Sequence, residues 1–479
     1  MTPARLDMNR LRTVMIGAGV LLSGCTELTS LGISNEHIVG RDSAQAPATH
    51  YSAFSLAPGE LMLPNGYVGD IDGDGLDDLL IGGMHAGGPS NSVPDMTAYL
   101  FYGRAEFAEM LAAADADATF DTGAMESLTL GDINGDGLAD FVLGDATAYE
   151  FVFGSKQRFK GHHAKFSTGV QWRNGETARA EDFFPPRFYR VRAAGDINGD
   201  GAGEIAIQLS ERNPADGMTT LKEYLFEGRK GAWPSGTWEP SWAAASFSTD
   251  DPAIETLYPW SLGDLDGDGK TDIIARQDDR FWLFYGRSAG LRGALTPANA
   301  DAELDTTGDA LPMFGGDLDG DGADDLQLSS SGELQVVYGS RARYSGVVQP
   351  TADLFFAGAS GGAQAADLNA DGLSDLLITA TAARERPDPF AVDQTVVYQV
   401  RGDGKRLTGR YQLQPEQRYQ PVGYAAPEPL DTGRFSFIDA RSDFDGDGSS
   451  DLMMVYLEDV APDVHGAVYV LPGNSRAPD

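Results

Sequence analysis

Asp264-Leu-Asp-Gly-Asp-Gly-Lys-Thr-Asp272 carries acids at its first, third, fifth and ninth places and glycine at its sixth. The pattern recurs from Asp70, Asp132, Asp196, Asp317, Asp367 and Asp443, making seven copies. Alternate side chains of a tightly curled loop converge on one point, and a hard divalent cation such as calcium takes six to eight oxygens at about 2.3–2.6 Å. Glycine at the sixth place lets the backbone turn where a β-carbon would clash. The candidate ligands are the side chains at places one, three, five and nine and the carbonyl at place seven. In loop one these are Asp70, Asp72, Asp74, Asp78 and Leu76; in loop two, Asp132, Asn134, Asp136, Asp140 and Leu138. Loop three supplies Asp196, Asn198, Asp200, Glu204 and Ala202, and loop four Asp264, Asp266, Asp268, Asp272 and Lys270. Loop five supplies Asp317, Asp319, Asp321, Asp325 and Ala323, and loop six Asp367, Asn369, Asp371, Asp375 and Leu373. In loop seven they are Asp443, Asp445, Asp447, Asp451 and Ser449. Place twelve is apolar or small throughout (Ile81, Leu143, Ile207, Ala275, Leu328, Ile378, Met454), which excludes an EF-hand. The alternative is an Asp-Gly turn that joins two strands and needs no metal.

The rest of the chain is read as what lies between these loops. With 479 residues, 59 glycines and many aspartates, it suits an all-β protein rich in turns. Its formal charge of -37 makes nucleic acid an unfavourable partner, even after seven divalent ions have offset part of it. A single cysteine rules out a disulfide framework and a cysteine-based zinc site. Arg10 and Arg12 precede an apolar run from Thr13 to Leu22, too short for a membrane span and typical of an export signal. Leu22-Ser23-Gly24-Cys25 resembles the lipobox of bacterial lipoproteins, which implies lipidation of Cys25. Thr26, rather than Asp, then favours the outer membrane. The expected organisation is a signal peptide over 1–24, a flexible tether over 25–47, a repeat domain over 48–474 and a tail over 475–479.

Loop starts lie 50 to 76 residues apart, and each unit has the same internal order. A short lead-in precedes the acid loop, and a β-rich run such as Leu79–Ile81 or Phe141–Leu143 follows it. An aromatic run then ends in glycine, as in Ala98-Tyr-Leu-Phe-Tyr-Gly103 and Phe281-Trp-Leu-Phe-Tyr-Gly286. A weaker fourth strand is expected at Ala118–Asp121, Lys165–Trp172, Ala245–Ser248, Ala302–Asp305, Asp353–Phe356 and Arg410–Leu413. The seventh unit stops after its third strand at Val468–Leu471, while an orphan segment, Tyr51–Leu56, precedes the first loop. Pairing the two would close a ring, so the expected fold is an all-β, seven-bladed β-propeller closed by an N-terminal strand. An open solenoid is the alternative, but it would need polar end caps.

Apolar lead-in, Gly-Asp-[Leu/Ile]-[Asn/Asp]-Gly-Asp-Gly, acid, β-run and an aromatic strand ending in Gly together resemble the FG-GAP repeat. That repeat builds the seven-bladed propeller of integrin α subunits and of many bacterial surface proteins. The resemblance covers roughly residues 50–474 and implies calcium (Ca2+) in up to seven loops. Glu204 at place nine, Ala370 at place four and Asn134, Asn198 and Asn369 at place three depart from the pattern, and the three loops with Asn are expected to bind more weakly.

No catalytic constellation stands out among the six histidines, and there is no Gly-x-Ser-x-Gly elbow or P-loop. His162-His163 reads as a solvated turn in a basic patch. Trp233, Trp238 and Trp242 read as packing between units, and Arg401-Gly-Asp403 as a turn. Long connections at Met84–Met96, Glu211–Leu221 and Ala382–Gln394 suggest a recognition rim opposite the acid loops. The expected function is a lipid-anchored envelope scaffold that binds a protein or glycan. A polysaccharide lyase or hydrolase and a structural part of an envelope assembly remain the alternatives.

Overall fold

The computed structural model describes residues 38–39, 52–55, 60–63, 67–85, 96–105, 110–122, 126–145, 148–164, 167–173, 188–212, 219–237, 240–248, 257–306, 310–359, 363–382, 394–402, 404–413, 433–458 and 465–471. The export signal, Cys25, most of the expected tether, the C-terminal tail, Trp238, Asp403 and most of the three long connections lie outside these residues. Among the described residues the structure is all-β, broken only by three single 3-10 turns.

Unit four shows how the sequence builds each sheet. Tyr258–Gly263 leads into the acid loop, and Asp272–Gln277 returns antiparallel to it. A two-residue turn brings back Arg280–Phe284, and Ala302–Leu304 adds the fourth strand. Ile273 and Ala275 pack toward unit three, whereas Ile274 packs toward unit five. Side chains alternate across a strand, so one buried on both faces must be apolar at every place. That is why the run after most acid loops is continuously hydrophobic rather than alternating; in unit five the buried polar place, Gln327, is satisfied by donating to the Phe314 and Ala363 carbonyls.

The described strands form seven sheets. The first strands of successive units lie against one another, and that of unit seven (Gly433–Ser442) contacts Tyr67–Gly69 of unit one. Ser52–Ser55 pairs antiparallel with His465–Leu471, with Ser52 opposite Val470. The shared clusters between sheets include one joining Leu79, Ile81 and Phe101 of unit one to Phe444, Met453 and Val470 of unit seven.

One feature of the sheets departs from the sequence reading. Arg410–Leu413 was expected to be the fourth strand of unit six, but Gly409–Gln412 instead pairs in parallel with Leu354–Ala357, the fourth strand of unit five. The same arrangement recurs around the molecule. Gly161–His163, Gly236–Thr237, Gly293–Leu295, Gly346–Val348 and Met110–Ala112 each cover the outer edge of the preceding sheet. A bare edge is a template for aggregation, and a short parallel segment covers it. His162-His163 is therefore part of such a strand, with His163 stacked on Phe120 at 4.9 Å, and not a solvated turn. In unit six the place beside Gln394–Val400 is taken by Ile38–Val39, from within the expected tether.

The tryptophan-rich segment does pack between units. Trp233 is buried with Phe151 and Trp172 of unit two, and the Trp172 indole N–H donates to the Pro234 carbonyl at 2.7 Å. Trp172 also meets Phe226 and Trp242 at 5.0 and 5.6 Å. Trp172→Ala should therefore lower stability by about 3–5 kcal/mol in denaturant titration, the cost of emptying a large aromatic site.

Candidate metal centres

Each acid loop is first a set of backbone turns. The place-one carboxylate accepts the place-six N–H in all seven loops, at 2.9, 2.7, 2.9, 2.6, 3.0, 2.8 and 2.9 Å. The place-five carboxylate accepts the place-seven N–H in each, as Asp268 does from Lys270 at 3.1 Å. Place-six glycines have φ between 81° and 90°, which requires the left-handed region. Ala370, where other loops have glycine, is held at φ 58°.

The ninth acid does a different task. Asp78, Asp140, Asp272 and Asp325 are wholly buried. One oxygen of each accepts the place-two N–H, and the other accepts the N–H of the glycine that ends the third strand. For Asp272 these donors are Leu265 and Gly286, both at 2.8 Å; Asp78, Asp140 and Asp325 repeat the pair. Asp375 takes Gly402 at 2.9 Å and the Gln399 side chain, and Asp451 takes Phe444 at 2.8 Å. Glu204, with one more methylene, takes Ile197 at 2.6 Å and then the Asn198 amide within its own loop. The aromatic run ends in glycine because a β-carbon on Gly286 would stand 2.6 Å from Lys270 Cβ and 2.8 Å from the Thr271 carbonyl.

Neighbouring loops are bonded to one another. The place-eight N–H donates to the place-one carbonyl of the preceding unit: Ala139 to Asp70, Gly203 to Asp132, Thr271 to Asp196, Asp324 to Asp264, Ser374 to Asp317 and Ser450 to Asp367. The series continues from Asp77 of unit one to Asp443 of unit seven at 2.9 Å.

Four loops bring three carboxylates within 4.8 Å of one another: Asp70, Asp72 and Asp78; Asp264, Asp266 and Asp272; Asp317, Asp319 and Asp321; Asp443, Asp445 and Asp451. These are the loops with Asp at place three. Among the described residues, no such trio forms in the three loops where Asn134, Asn198 or Asn369 stands there. The trios fit a divalent cation, because a carboxylate oxygen has two lone pairs and one bond from N–H leaves the second available. Asp266 adds a direct sign: it is buried, and its Oδ1 has no hydrogen-bond partner.

The sequence reading missed the arginines. Arg158 of unit two binds Asp72, and its Nη2 lies 2.5 Å from Asp74. Arg343 of unit five binds Asp266, and Asp268 at 2.8 Å; Arg406 of unit six binds Asp319 at 2.6 Å and Asp321 at 2.9 Å. Each guanidinium stacks over the tyrosine before the third-strand glycine of the loop it clasps: Tyr102 at 4.7 Å, Tyr285 at 4.8 Å and Tyr338 at 5.2 Å. A signal was present, since each arginine stands four residues after a third-strand glycine (Gly154, Gly339, Gly402) and each preceding unit ends its third strand in Tyr-Gly. Units three and four carry Ala232 and Gly290 at that place, and loops two and three receive no clasp from it.

Burial raises the ninth acids of loops one to six above the ordinary carboxylate range, with further upward push from the other loop acids and opposition from the N–H donors. Asp78, Asp140 and Asp272 are pushed to about 7, Glu204 and Asp325 to about 8, and Asp375 to about 6.

Residues 264–328 match the FG-GAP-like repeat family. No curated protein matches the sequence. Among solved structures, the chain is similar to BBS1N in its complex with ARL6DN soaked with lead, at 9% identity and a TM-score of 0.38, covering 87% of this chain and 95% of that one. It is also similar to the Photorhabdus luminescens Tc holotoxin pore, at 12% identity and a TM-score of 0.29, covering 92% of this chain but 15% of that one.

Two outcomes follow from this geometry. Ala370→Gly should raise stability by about 1 kcal/mol, since a non-glycine residue pays roughly 1–2 kcal/mol in the left-handed region and glycine returns part of that as unfolded-state entropy. A carboxyl whose folded pKa is raised supports folding most below its unfolded value near 4 and loses that support as pH climbs through about 6–8. In chelator, the melting temperature should therefore fall between pH 5 and pH 8, and added divalent cation should shrink the fall. A rise over that range in chelator would contradict the assignment.

Proposed function

We propose that this chain, which carries an FG-GAP-like repeat within an all-β, propeller-like fold, is a calcium-stabilised seven-bladed propeller closed through its N-terminal strand. It would serve as a protein- or glycan-binding scaffold, held in a bacterial envelope, on the outer membrane, by a lipid on Cys25. The observation that carries this reading is the series of place-eight to place-one bonds, which returns from Asp77 to Asp443. Pairing of Ser52–Ser55 with His465–Leu471 supports the same closure. An open stack would give no reason for the first and last acid loops to meet.

The metal reading rests on the four carboxylate trios and on Asp266 Oδ1. An oxygen-only donor set with flexible spacing suits calcium better than a soft transition metal. The role is structural: an ion would offset repulsion among acids that already anchor two strands, and it would find little open coordination left for a substrate. Among these loops, those with Asn at place three would bind more weakly. The lipid anchor rests on Leu22-Ser23-Gly24-Cys25 behind a basic and then apolar leader. A propeller-like fold alone does not specify an activity.

If each site binds at about 10⁻⁴ M, 1 mM calcium should stabilise the chelated protein by roughly 1.4 kcal/mol per occupied site. Calorimetric melting with and without chelator measures this, and a chelator-insensitive transition would overturn the calcium reading. Closure is tested separately by truncation. Removing residues 1–56 should lower the melting temperature far more than removing residues 1–47, which already takes away Ile38–Val39, and equal effects would contradict closure through Ser52–Ser55.

A further inference from the structure

A cavity of about 730 Å³ runs along the inner strands of units three to seven, from the turn at Asp278 to Arg441, two residues before the seventh acid loop. Its lining reverses the charge of the protein. Among the described residues, Arg190, Arg192, Arg276 and Arg441 line it, against Asp278 as the one acid, in a chain whose formal charge is -37. Like charges gathered around one space repel, and walls of low dielectric strengthen the field they project into it. Buried Glu223 already answers Arg192, so the field open to a ligand is chiefly that of exposed Arg190 and Arg276.

Two of the arginines are held in place. The Arg192 guanidinium pairs at 2.8 Å with Glu223, which is wholly buried and also takes a 2.6 Å bond from the Gln208 side chain. Arg192, Gln208 and Glu223 stand on the first, second and third strands of unit three, so a row of side chains across one sheet fixes the cation at the cavity wall. Arg276 donates from Nε to the Asp278 carbonyl at 2.6 Å and stacks over Phe281 at 5.8 Å. Its terminal nitrogens are thereby positioned while the residue as a whole stays exposed.

The remaining lining is aromatic and apolar. Half-buried Trp260 is oriented by a 3.0 Å bond from its indole N–H to the Pro312 carbonyl and by edge contact with Phe281. Leu311 is one of two large apolar side chains exposed among the described residues, and it belongs to this wall. An aromatic side chain sharing one cavity with guanidinium groups suits a ring-bearing ligand with acidic substituents, because guanidinium pairs bidentately with carboxylate or sulfate and an aromatic face covers a ring. The volume falls within the range of ordinary small-ligand sites.

From these observations we infer that the inner cavity binds an acidic oligosaccharide, its carboxylates or sulfates on exposed Arg190 and Arg276 and a sugar ring against Trp260. This deepens the glycan-binding reading above and rests on it. It does not depend on the acid loops, which lie on separate residues.

Isothermal titration of the lipid-free chain, residues 26–479, with calcium present, tests it. The probes are trigalacturonate, a sulfated heparin disaccharide, neutral maltotriose and inorganic phosphate. At least one acidic saccharide should bind at least ten-fold more tightly than maltotriose and phosphate, with an affinity that falls as salt is raised. Arg192→Gln strips buried Glu223 of its partner, so the exposed Arg276→Gln and Arg190→Gln carry the mutational arm. Arg276→Gln should weaken binding at least ten-fold and Arg190→Gln should flatten the salt dependence, both with melting temperature and calcium response unchanged. Equal binding of neutral and acidic saccharides, binding of phosphate alone, or full affinity in both variants would overturn the inference. Loss of the calcium response with acidic-saccharide binding intact would count against the metal reading and leave this one standing.

Discussion

A buried carboxylate is the constraint on which each unit depends. In units one, two, four and five the ninth acid sits in the protein interior because two backbone amides need it there, one from its own loop and one from the end of the third strand. That single side chain links the first, second and third strands at one point. Removing it would leave two buried N–H groups without partners, a cost of about 1–3 kcal/mol for each. The adjoining glycine then follows from geometry, since the loop backbone lies where its β-carbon would be. The place-eight N–H carries the same order from one unit to the next. Loop, glycine and neighbouring loop are thus one repeated device, and spacing between them can vary without disturbing it.

Gathering so many acids needs compensation, and the loops receive it in two ways. Own-loop N–H groups satisfy places one and five in every copy. At loops one, four and five an arginine from the following unit also sits across places three and five, braced by a tyrosine. Those loops have Asp at place three, whereas the loops with Asn there carry one charge less. Asp445 of loop seven is the exception: the corresponding place in unit one is Phe107, and burial raises the Asp445 pKa. The guanidinium takes one oxygen from each acid, so a cation and an arginine would share the carboxylates of a loop and would not need to exclude each other. Arg158, Arg343 and Arg406 also join adjacent units, which makes them part of the packing as much as of the charge balance.

Much of this was legible in the residues. Asp-x-Asp-Gly-Asp-Gly announced the loop, since few backbones need glycine and three alternating acids in nine residues. Continuous apolar runs such as Leu79–Ile81 announced strands buried on both faces. The match at residues 264–328 bears out the repeat resemblance on the loop from which the reading began. What stayed hidden was pairing between units. Gly409–Gln412 has ordinary strand composition, and nothing in its pattern says that it pairs in parallel with the sheet before its own. His162 and His163 looked like a turn because charge surrounds them in sequence, yet backbone pairing with Thr119 and Phe120 decides their place. The cavity was equally out of reach. Arg192, Arg276 and Arg441 are far apart in the chain, and only the packing of the first strands of units three and seven and the second strand of unit four around one space brings them together.

The claim that the acid loops form one continuous circuit is tested most directly by native-state hydrogen exchange at the place-eight amides of Asp77, Ala139, Gly203, Thr271, Asp324, Ser374 and Ser450. Asp77 is the decisive one, because its acceptor on Asp443 lies 366 residues away. The account predicts that Asp77 is protected to the same degree as Thr271 and Asp324 in the interior of the series. Rapid exchange at Asp77, with strong protection at those interior positions, would contradict it.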